Sequence, residues 1–262
     1  MNRRRLDAEL VRRKLVGSRT EAKRAIEAGL VRVGTISSPK PSTLVAPDEP
    51  VHLLQPPEPF VSRAGRKLDR ALELFNVDVD GLRVVDVGAS TGGFTDCLLQ
   101  RGASSVTAID VGYGQMHWKV RNDDRVEVVE RTNIRTADIS QFGEPFDIVV
   151  SDLSFISLRA VHHQLALLGA SNARWILLIK PQFEAGREAV GKGGIVRDPG
   201  TRRRVVIEVV ESFSEIGLGC TGLIESPITG ATGNVEYVAI FERGRGTVSS
   251  DTIDKVFDRD PQ

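Results

Sequence analysis

The fold is decided by the stretch Val84-Val-Asp-Val-Gly-Ala-Ser-Thr-Gly-Gly-Phe94. Its first residues are mostly apolar and predict a buried strand, and a glycine-rich turn follows at once. In a doubly wound α/β sheet, ligands bind at the carboxyl ends of the strands. The stretch therefore predicts a strand that ends in a cofactor loop.

Outward from this stretch, strands and helices alternate. Short apolar runs predict strands at 82–87, 105–110, 126–130, 146–151 and 174–179, and helical spacing predicts helices at 94–101, 157–168 and 199–216. Two later strands, at 222–226 and 235–241, have no helix between them, so one edge of the sheet is expected to be antiparallel. The predicted fold class is a Rossmann-like, doubly wound α/β sheet of seven strands, an architecture typical of methyltransferases.

The spacing of the glycines indicates the class of cofactor. A dinucleotide-binding loop normally shows G-x-G-x-x-G, whereas Gly88 and Gly92 are four residues apart. This spacing disfavours a pyrophosphate cradle, and with it an NAD-dependent oxidoreductase. It fits a nucleoside–amino-acid cofactor, S-adenosylmethionine. The next strand ends in Asp110, which is placed to accept hydrogen bonds from a ribose diol.

Charge is distributed unevenly along the chain. The 262 residues carry no net charge, but residues 1–40 contain eleven Lys or Arg against four acids, which leaves +7 on this segment and −7 on the remainder. A basic segment on an otherwise balanced chain indicates a polyanionic partner.

Other features narrow the class of protein. Cys97 and Cys220 are far apart and the four histidines lack the spacing of a zinc site, so no metal is expected. No apolar run approaches the roughly 20 residues that span a bilayer, and no apolar segment follows the basic N-terminus. We expect a cytoplasmic protein with reduced thiols that does not contact membranes.

The N-terminal segment predicts a small α+β module. A helix at 6–16 is followed by the capping box Ser18-Arg-Thr-Glu21 and a second helix that ends at Gly29, and short strands are predicted at 30–33 and 51–54. The spacing of these residues resembles the S4 RNA-binding domain. The resemblance implies that the basic face of the two helices binds structured RNA, chiefly through phosphates.

Four charged residues stand where apolar sequence surrounds them. Lys67 lies on the helix before the sheet, Asp152 and Lys180 each follow a predicted strand, and Glu236 begins the last strand. A charge beside a buried strand needs a partner or a cavity, so we expect the four to converge above the sheet. The set resembles the Lys-Asp-Lys-Glu tetrad of RNA ribose 2′-O-methyltransferases of the FtsJ/RrmJ type.

The wider pattern resembles the TlyA family over nearly the whole chain. After the S4-like segment, the motifs are Asp86-Val-Gly-Ala-Ser-Thr-Gly-Gly-Phe-Thr-Asp96, Asp110-Val-Gly-Tyr-Gly-Gln115, Arg131-Thr-Asn-Ile-Arg135, Ser151-Asp-Leu-Ser-Phe-Ile-Ser157, Lys180-Pro-Gln-Phe-Glu184 and Gly233-Asn-Val-Glu-Tyr237. The resemblance implies methylation of cytidine ribose 2′-hydroxyls in ribosomal RNA of the small subunit, the large subunit or both, with S-adenosylmethionine as methyl donor. The family also carries a haemolysin name, for which the sequence offers no amphipathic membrane helix.

The resemblance also implies roles and boundaries. In an in-line SN2 transfer, Lys180 would be the base, Lys67 a second cation near the hydroxyl, Asp152 would orient Lys180, and Glu236 would orient a lysine. The implied domains are S4-like at 1–55, a linker at 56–62, a methyltransferase domain at 63–244, and a polar, frayed tail at 245–262. Some family members have Arg-x-Trp-Val in the linker, whereas this chain has Glu58-Pro-Phe-Val61, a stiffer sequence.

The residues expected to bind ligands follow from these assignments. Cofactor contacts are expected from Asp86, Gly88, Ser90, Thr91, Gly92, Gly93, Phe94, Asp110, Asn133 and Asp152. RNA contacts are expected from Arg3, Arg4, Arg5, Arg12, Arg13, Arg19, Lys23, Arg63 and Arg66. The alternative in a different class is a non-catalytic RNA-binding or ribosome-assembly protein that retains the cofactor fold, and the complete set of four charged residues argues against it.

Overall fold

The computed structural model describes residues 3–36, 39–54 and 58–258, and it divides the chain into two compact units, Met1–Pro59 and Phe60–Gln262. The predicted linker at 56–62 lies partly outside the described residues, as do the last four residues of the predicted tail. No helix among the described residues is long and apolar enough to cross a membrane.

The first unit is a small α+β module, as predicted. Its elements are β1 (Arg4–Arg5), α1 (Leu6–Arg12), α2 (Arg19–Glu27), β2 (Val31–Val33), β3 (Leu44–Val45) and β4 (Val51–Leu53). β1 pairs with β3 and β2 pairs with β4, both antiparallel. The two helices enclose a core with Leu6, Leu10 and Ile26 fully or nearly fully buried.

The ends of the two helices follow from local chemistry. α1 ends four residues before the predicted position because Lys14 takes a left-handed φ of 58°. The predicted cap of α2 is confirmed, because the Ser18 hydroxyl accepts a hydrogen bond from the Glu21 amide at 3.2 Å. The Glu21 carboxylate accepts from the amide of Gly17, one residue earlier than a capping box requires.

The second unit contains the predicted sheet of seven strands. The strands are β5 (Arg83–Val87), β6 (Ser105–Ile109), β7 (Val126–Val129), β8 (Phe146–Ser151), β9 (Gly169–Ile179), β10 (Leu218–Glu225) and β11 (Tyr237–Arg243). Their order is β10-β11-β9-β8-β5-β6-β7. β5 to β9 are mutually parallel, whereas β11 pairs antiparallel with both β9 and β10. The antiparallel edge was predicted from the missing helix and is confirmed.

Helices cover both faces of the sheet. The helices are α3 (Ala64–Leu74), α4 (Gly93–Gln100), α5 (Trp118–Arg121), α6 (His162–Leu168), α7 (Pro181–Glu184), α8 (Pro199–Ser214) and α9 (Ser250–Phe257). Because side chains alternate along a strand, Val84 packs with α3 and α4 on one face, and Val85 packs with α6 and α8 on the other. The carboxyl edge of the parallel strands is left open for a site.

The predicted frayed tail is wrong for residues 250–257. The Ser249 hydroxyl accepts a hydrogen bond from the Thr252 amide and so caps α9. Ile253 is buried, and Val256 and Phe257 pack against the same core. These three apolar positions at helical spacing were hidden in a polar sequence, and burial of one helix face is enough to order it.

Candidate active site

The four charged residues singled out in the sequence meet at one edge of the sheet. Asp152 and Lys180 directly follow the parallel strands β8 and β9. Glu236 directly precedes β11, and Tyr237 lies opposite Ile179 in the pairing of β11 with β9. Because β11 runs antiparallel, its first residues lie beside the carboxyl end of β9. Lys67 reaches the same edge from the second turn of α3.

These residues form two ion pairs. The Lys67 ammonium lies 2.5 Å from Glu236 Oε2, and the Lys180 ammonium lies 2.5 Å from Asp152 Oδ1. Lys67, Lys180 and Glu236 are buried, which makes charge pairing necessary because an unpaired buried charge is costly. Each lysine therefore has a carboxylate that holds its amine in place.

Two further polar side chains extend the pairs, and the sequence reasoning missed both. The Lys180 amine donates to the Ser154 hydroxyl at 2.9 Å. The Gln182 amide donates to Glu236 Oε1 at 3.2 Å. Their positions could have indicated them, because each lies two residues after one of the four charged residues.

A cavity of about 550 Å³ opens above the two ion pairs. Lys67, Lys180 and Glu236 line it, with loop residues that include Ser154, Gly194 and Thr232. Phe155 and Phe183 stand in its wall with ring centroids 5.2 Å apart. Phe155 is 91% exposed and has a left-handed φ of 65°, a strained conformation of the kind found at functional sites.

The glycine-rich loop turns closely against the segment after β8. Gly88 has φ 89°, and a Cβ at this position would lie 2.9 Å from the carbonyl oxygen of Asp152. The Ser90 and Gly112 amides donate to the two oxygens of Asp110 at 2.8 and 2.6 Å. Asp110 is therefore held rigidly, and each of its oxygens keeps a lone pair for a further donor.

Asp86 lies fully buried beneath this loop. Its Oδ2 accepts a hydrogen bond from the Thr95 hydroxyl at 2.6 Å, and its Oδ1 has no hydrogen-bond partner among the described residues. Burial raises the pKa of Asp86 to about 7, against the effect of the Thr95 hydrogen bond. A buried acceptor without a partner and a backbone cradle that only glycine allows fit a polar ligand such as S-adenosylmethionine.

The other predicted cofactor residues occupy different settings. Thr91 is exposed on the loop, Gly92 is the N-cap of α4 with φ 88°, and Gly93 allows close packing against Ser62. The ring of Phe94 is buried in the core beneath the sheet, so only its backbone can face the loop. Asn133 is exposed, and its side chain accepts from the Arg135 amide at 3.0 Å within a local turn.

The segment after Asp110 covers the glycine-rich loop. The His117 amide donates to the Thr91 carbonyl at 3.1 Å, which places α5 next to the loop. Trp118 at the start of α5 is 69% exposed, whereas Trp175 on β9 is fully buried. The indole N–H of Trp175 donates to the Leu165 carbonyl at 2.8 Å.

The predicted RNA contacts of the first unit fall into two groups. Arg3, Arg4, Arg5, Arg12, Arg19 and Lys23 are exposed. Arg13 is instead bound to Glu9 and to the carbonyls of Glu49, Ala46 and Pro47, which gives it a structural contact. Arg5 and Arg19 pair with Asp7, and the hydrogen bond from Arg5 is the main reason that the pKa of Asp7 falls to about 2.

The second unit holds the remaining predicted contacts. Arg63 is exposed at the rim of the cavity, and Arg66 is exposed one turn along α3. Among the described residues, no group of three or more His, Cys, Asp or Glu is arranged to hold a metal ion.

Comparison with known proteins assigns a family to each of the two units. Residues 60–243 match the model of the FtsJ-like methyltransferase family, and residues 4–51 match the S4 domain. A 16S/23S rRNA (cytidine-2′-O)-methyltransferase TlyA from Mycobacterium tuberculosis is 48% identical over 236 residues, which are 90% of this chain and 88% of the relative. Hemolysin A of Brachyspira hyodysenteriae is 38% identical over 225 residues, 86% of this chain and 93% of the relative.

A solved structure from Streptococcus thermophilus, which carries a hemolysin name, has a TM-score of 0.77 and 38% identity and covers 99% of this chain and 96% of its own. The matches extend over both units and include every element that carries the four charged residues. The chain therefore belongs to the FtsJ-like methyltransferase family and to its TlyA branch, with an S4 domain at its N-terminus.

Proposed function

We propose that this protein transfers a methyl group from S-adenosylmethionine to the ribose 2′-hydroxyl of a cytidine in ribosomal RNA. The observation that carries the proposal is the pair of buried ion pairs, Lys67–Glu236 and Lys180–Asp152, beneath an open cavity at the carboxyl edge of the sheet. Relatives at 48% and 34% identity are named as rRNA (cytidine-2′-O)-methyltransferases, which supports the choice of substrate.

In the proposed mechanism, Lys180 is the base. Lys180 must first release its own proton, since an ammonium cannot act as a base. The ribose 2′-oxygen would then attack the methyl carbon in line while the bond from this carbon to the sulfonium sulfur breaks, and the hydroxyl proton would pass to the Lys180 amine. Asp152 lies 2.5 Å from this amine and stabilises the ammonium that forms. Lys67, held by Glu236, faces the same cavity and stabilises negative charge that develops on the oxygen. Alignment of the two reactants contributes as much as removal of the proton.

The residues of the glycine-rich loop would hold the methyl donor, which supplies an electrophilic methyl on a sulfonium. Gly88 and the loop to Gly93 would cradle its amino-acid part, with Asp86 below. Asp110 would accept from its ribose hydroxyls, for which each carboxylate oxygen keeps a lone pair. Asn133 would lie near the adenine. Phe94 would contribute its amide only, since its ring is buried.

The S4 domain would supply affinity for the RNA. Its exposed arginines would neutralise phosphates and carry little information about bases. A ribose that reaches buried lysines also requires the nucleotide to leave its helix. We also propose that the protein acts in the cytoplasm and that its substrate is the small ribosomal subunit, the large subunit or both. The boundary between its two domains is proposed to lie near residues 56–62.

The test is methyl transfer from labelled S-adenosylmethionine to purified small and large ribosomal subunits, followed by mapping of the modified nucleotide. Lys180→Ala is expected to lower transfer by at least about 100-fold, within the range for loss of general-base catalysis, while RNA and donor binding persist. Lys255→Ala, which removes an exposed lysine on α9, is the matched control. Normal transfer by Lys180→Ala would disprove its role as the base.

The same assay tests the alternative function. A protein that binds both RNA and S-adenosylmethionine but transfers no methyl group to either subunit would be an RNA-binding or assembly factor with a retained fold. Methylation of a base rather than a ribose would also contradict the proposal. Nuclease mapping of the labelled nucleotide distinguishes base methylation from ribose methylation.

A further inference from the structure

Two loops form the part of the cavity wall that lies beyond the ion pairs. We call residues 190–196 the glycine turn and residues 226–236 the Glu236 loop. The glycine turn contributes Val190 and Gly194 to the cavity. The Glu236 loop, which leads into β11, contributes Ile228, Gly230 and Thr232.

The glycine turn has few restraints of its own. The Gly191 amide donates to the Ile195 carbonyl at 3.1 Å, and the Gly194 amide donates to the Gly191 carbonyl at 3.0 Å. Gly193 and Gly194 have left-handed φ angles of 85° and 76°, and both positions are open, with no atom within 4 Å of an added Cβ. Because glycine loses the most backbone entropy on ordering, such a turn needs an outside anchor.

Asn234 is that anchor. It is 1% exposed, its Oδ1 accepts from the Val196 amide at 2.9 Å, and its Nδ2 donates to the Gly194 carbonyl at 2.8 Å. The same Nδ2 donates to the Thr232 hydroxyl at 3.0 Å. Among the described residues, the two bonds of Asn234 with Val196 and Gly194 are the hydrogen bonds that join the glycine turn to the Glu236 loop.

The order of the strands places this wall on the substrate side. Most candidate cofactor residues lie in or after β5, β6 and β7, on one side of β8 in the sheet, and Asp152 follows β8 itself. The wall is built from segments that follow β9 and precede β11, on the other side of β8. Asp152 follows β8, between the two regions, whereas Lys180 follows β9 and Glu236 ends the Glu236 loop, so the two ion pairs adjoin the wall. A methyl group would pass from donor to acceptor here.

We propose that Asn234 is a positioning residue for the RNA substrate, because it fastens the glycine turn to the Glu236 loop and so preforms the wall that receives the target nucleoside. This inference rests on the proposed function and adds a substrate-positioning role to the same site. Ordering a loop on binding weakens affinity, and a preformed loop avoids that cost. Loss of the anchor therefore weakens RNA binding and leaves donor binding intact.

The test compares Asn234→Asp with the unaltered protein. Aspartate has the same shape and still accepts from the Val196 amide, but it cannot donate to the Gly194 carbonyl. The Thr232 hydroxyl, which accepts from Asn234, can reverse and donate to the aspartate. The KM for ribosomal subunits is expected to rise about 10-fold, the effect of losing one buried hydrogen bond. The KM for S-adenosylmethionine and kcat at saturating RNA are expected to stay within about 2-fold. Hydrogen exchange of the amides at 190–196 without RNA is expected to become faster.

Ser212→Ala is the matched control. Ser212 lies on α8, outside the cavity wall, and its hydroxyl donates to the Val209 carbonyl of the same helix. This control is expected to keep the KM of the unaltered protein. Asn234→Ala serves as a second variant, with hydrogen exchange measured alongside thermal unfolding so that loosening of the turn is separated from loss of the fold.

The outcomes distinguish the inference from the proposed function. Normal transfer by the unaltered protein, with an unchanged KM for RNA and unchanged exchange in Asn234→Asp, overturns the inference alone. An equal rise in the KM for S-adenosylmethionine also overturns it. Absence of transfer by the unaltered protein overturns both.

Discussion

Gly88 lies where the backbone after β5 turns against the segment after β8. An alanine there would combine an unfavourable left-handed φ with a contact of 2.9 Å between its Cβ and the Asp152 carbonyl oxygen. Gly88→Ala is expected to weaken S-adenosylmethionine binding by at least about 10-fold, a loss of about 1.4 kcal/mol, because the contact with Asp152 forces the loop backbone to move. Isothermal titration calorimetry measures the change.

The control for Gly88→Ala is Gly217→Ala. Gly217 also has a left-handed φ, 82°, but nothing lies within 4 Å of an added Cβ. It should share the conformational penalty and keep the affinity for the methyl donor. Equal affinities in the two variants would show that the close approach at Gly88 does not shape the cofactor loop.

The stability of the ligand-free protein should depend on pH through Asp86. Its pKa is raised from 3.8 to about 7, mainly by burial, so the folded protein keeps this proton at pH values where the unfolded chain has released it. Stability is therefore lost as the pH rises from about 4 to about 7. Asp86→Asn, which mimics the protonated acid, is expected to have the higher Tm at pH 8, by several degrees.

The measurement for Asp86→Asn is thermal unfolding at a series of pH values from 5 to 8. The difference in Tm should shrink as the pH falls. A difference that does not change with pH would assign the effect to packing around the side chain and not to ionisation.

The sequence identified the four charged residues and paired Asp152 with Lys180, but it left open which lysine Glu236 contacts. That second pairing depends on β11 running antiparallel and on the position of Lys67 along α3, and neither is encoded near the residues themselves. Ser154 and Gln182 were missed for the same reason. Phe94 was assigned to the loop, yet α4 turns its ring into the core.

One arginine directly after helix α1 adds hydrogen bonds between the end of the helix and the segment after β3. The side chain of Arg13 is 20% exposed and bonds to Glu9 and to three carbonyls near the end of β3, whereas Arg12 pairs with the same Glu9 and is 47% exposed. Arg13→Ala is expected to destabilise this unit by about 1–3 kcal/mol, because it removes three charge-assisted hydrogen bonds to carbonyls, two of which are partly buried. Hydrogen exchange of the amides in α1 reports the change.

Arg12→Ala is the matched control for the loss of a positive charge beside Glu9. It should cost well under about 1 kcal/mol, as is usual for exposed ion pairs. If the two variants exchange at the same rate, the carbonyl contacts of Arg13 do not hold the helix in place.

Strands that are apolar along their whole length could be placed from the sequence. Elements that contain polar or exposed residues were placed less well. The apolar cores of β5, β6 and β8 gave their positions within about a residue. β9 begins five residues before the predicted start because its first residues are small or polar. Helix α9 was missed because only one face of it is apolar, and the packing that orders it involves residues far away in the sequence.

At the scale of the whole molecule, positive charge is concentrated near the N-terminus. Residues 1–40 are +7 and the rest are −7, so the RNA affinity of the protein should come largely from its N-terminal part. Replacing Arg3 and Arg4 with alanine is expected to reduce the slope of log Kd against log salt by about 1 for each phosphate that the protein no longer neutralises. Filter binding to a ribosomal RNA fragment at several salt concentrations measures the slope.

Replacing Arg204 and Lys255 is the control for the Arg3 and Arg4 variant. Both are exposed basic residues of the second unit, so the net charge changes equally while the slope should stay constant. A slope that falls equally in both variants would indicate a general effect of net charge and no specific RNA-binding surface.

The contrast between the two tryptophans has a practical consequence. Trp175 is sealed in the core, while Trp118 is in solvent on the helix that is joined to the glycine-rich loop. Their fluorescence should therefore have two components, a blue-shifted emission that reports only global unfolding and a red-shifted emission that an aqueous quencher can reach. The protein thus contains its own optical sensor beside the glycine-rich loop, with an internal reference a few strands away.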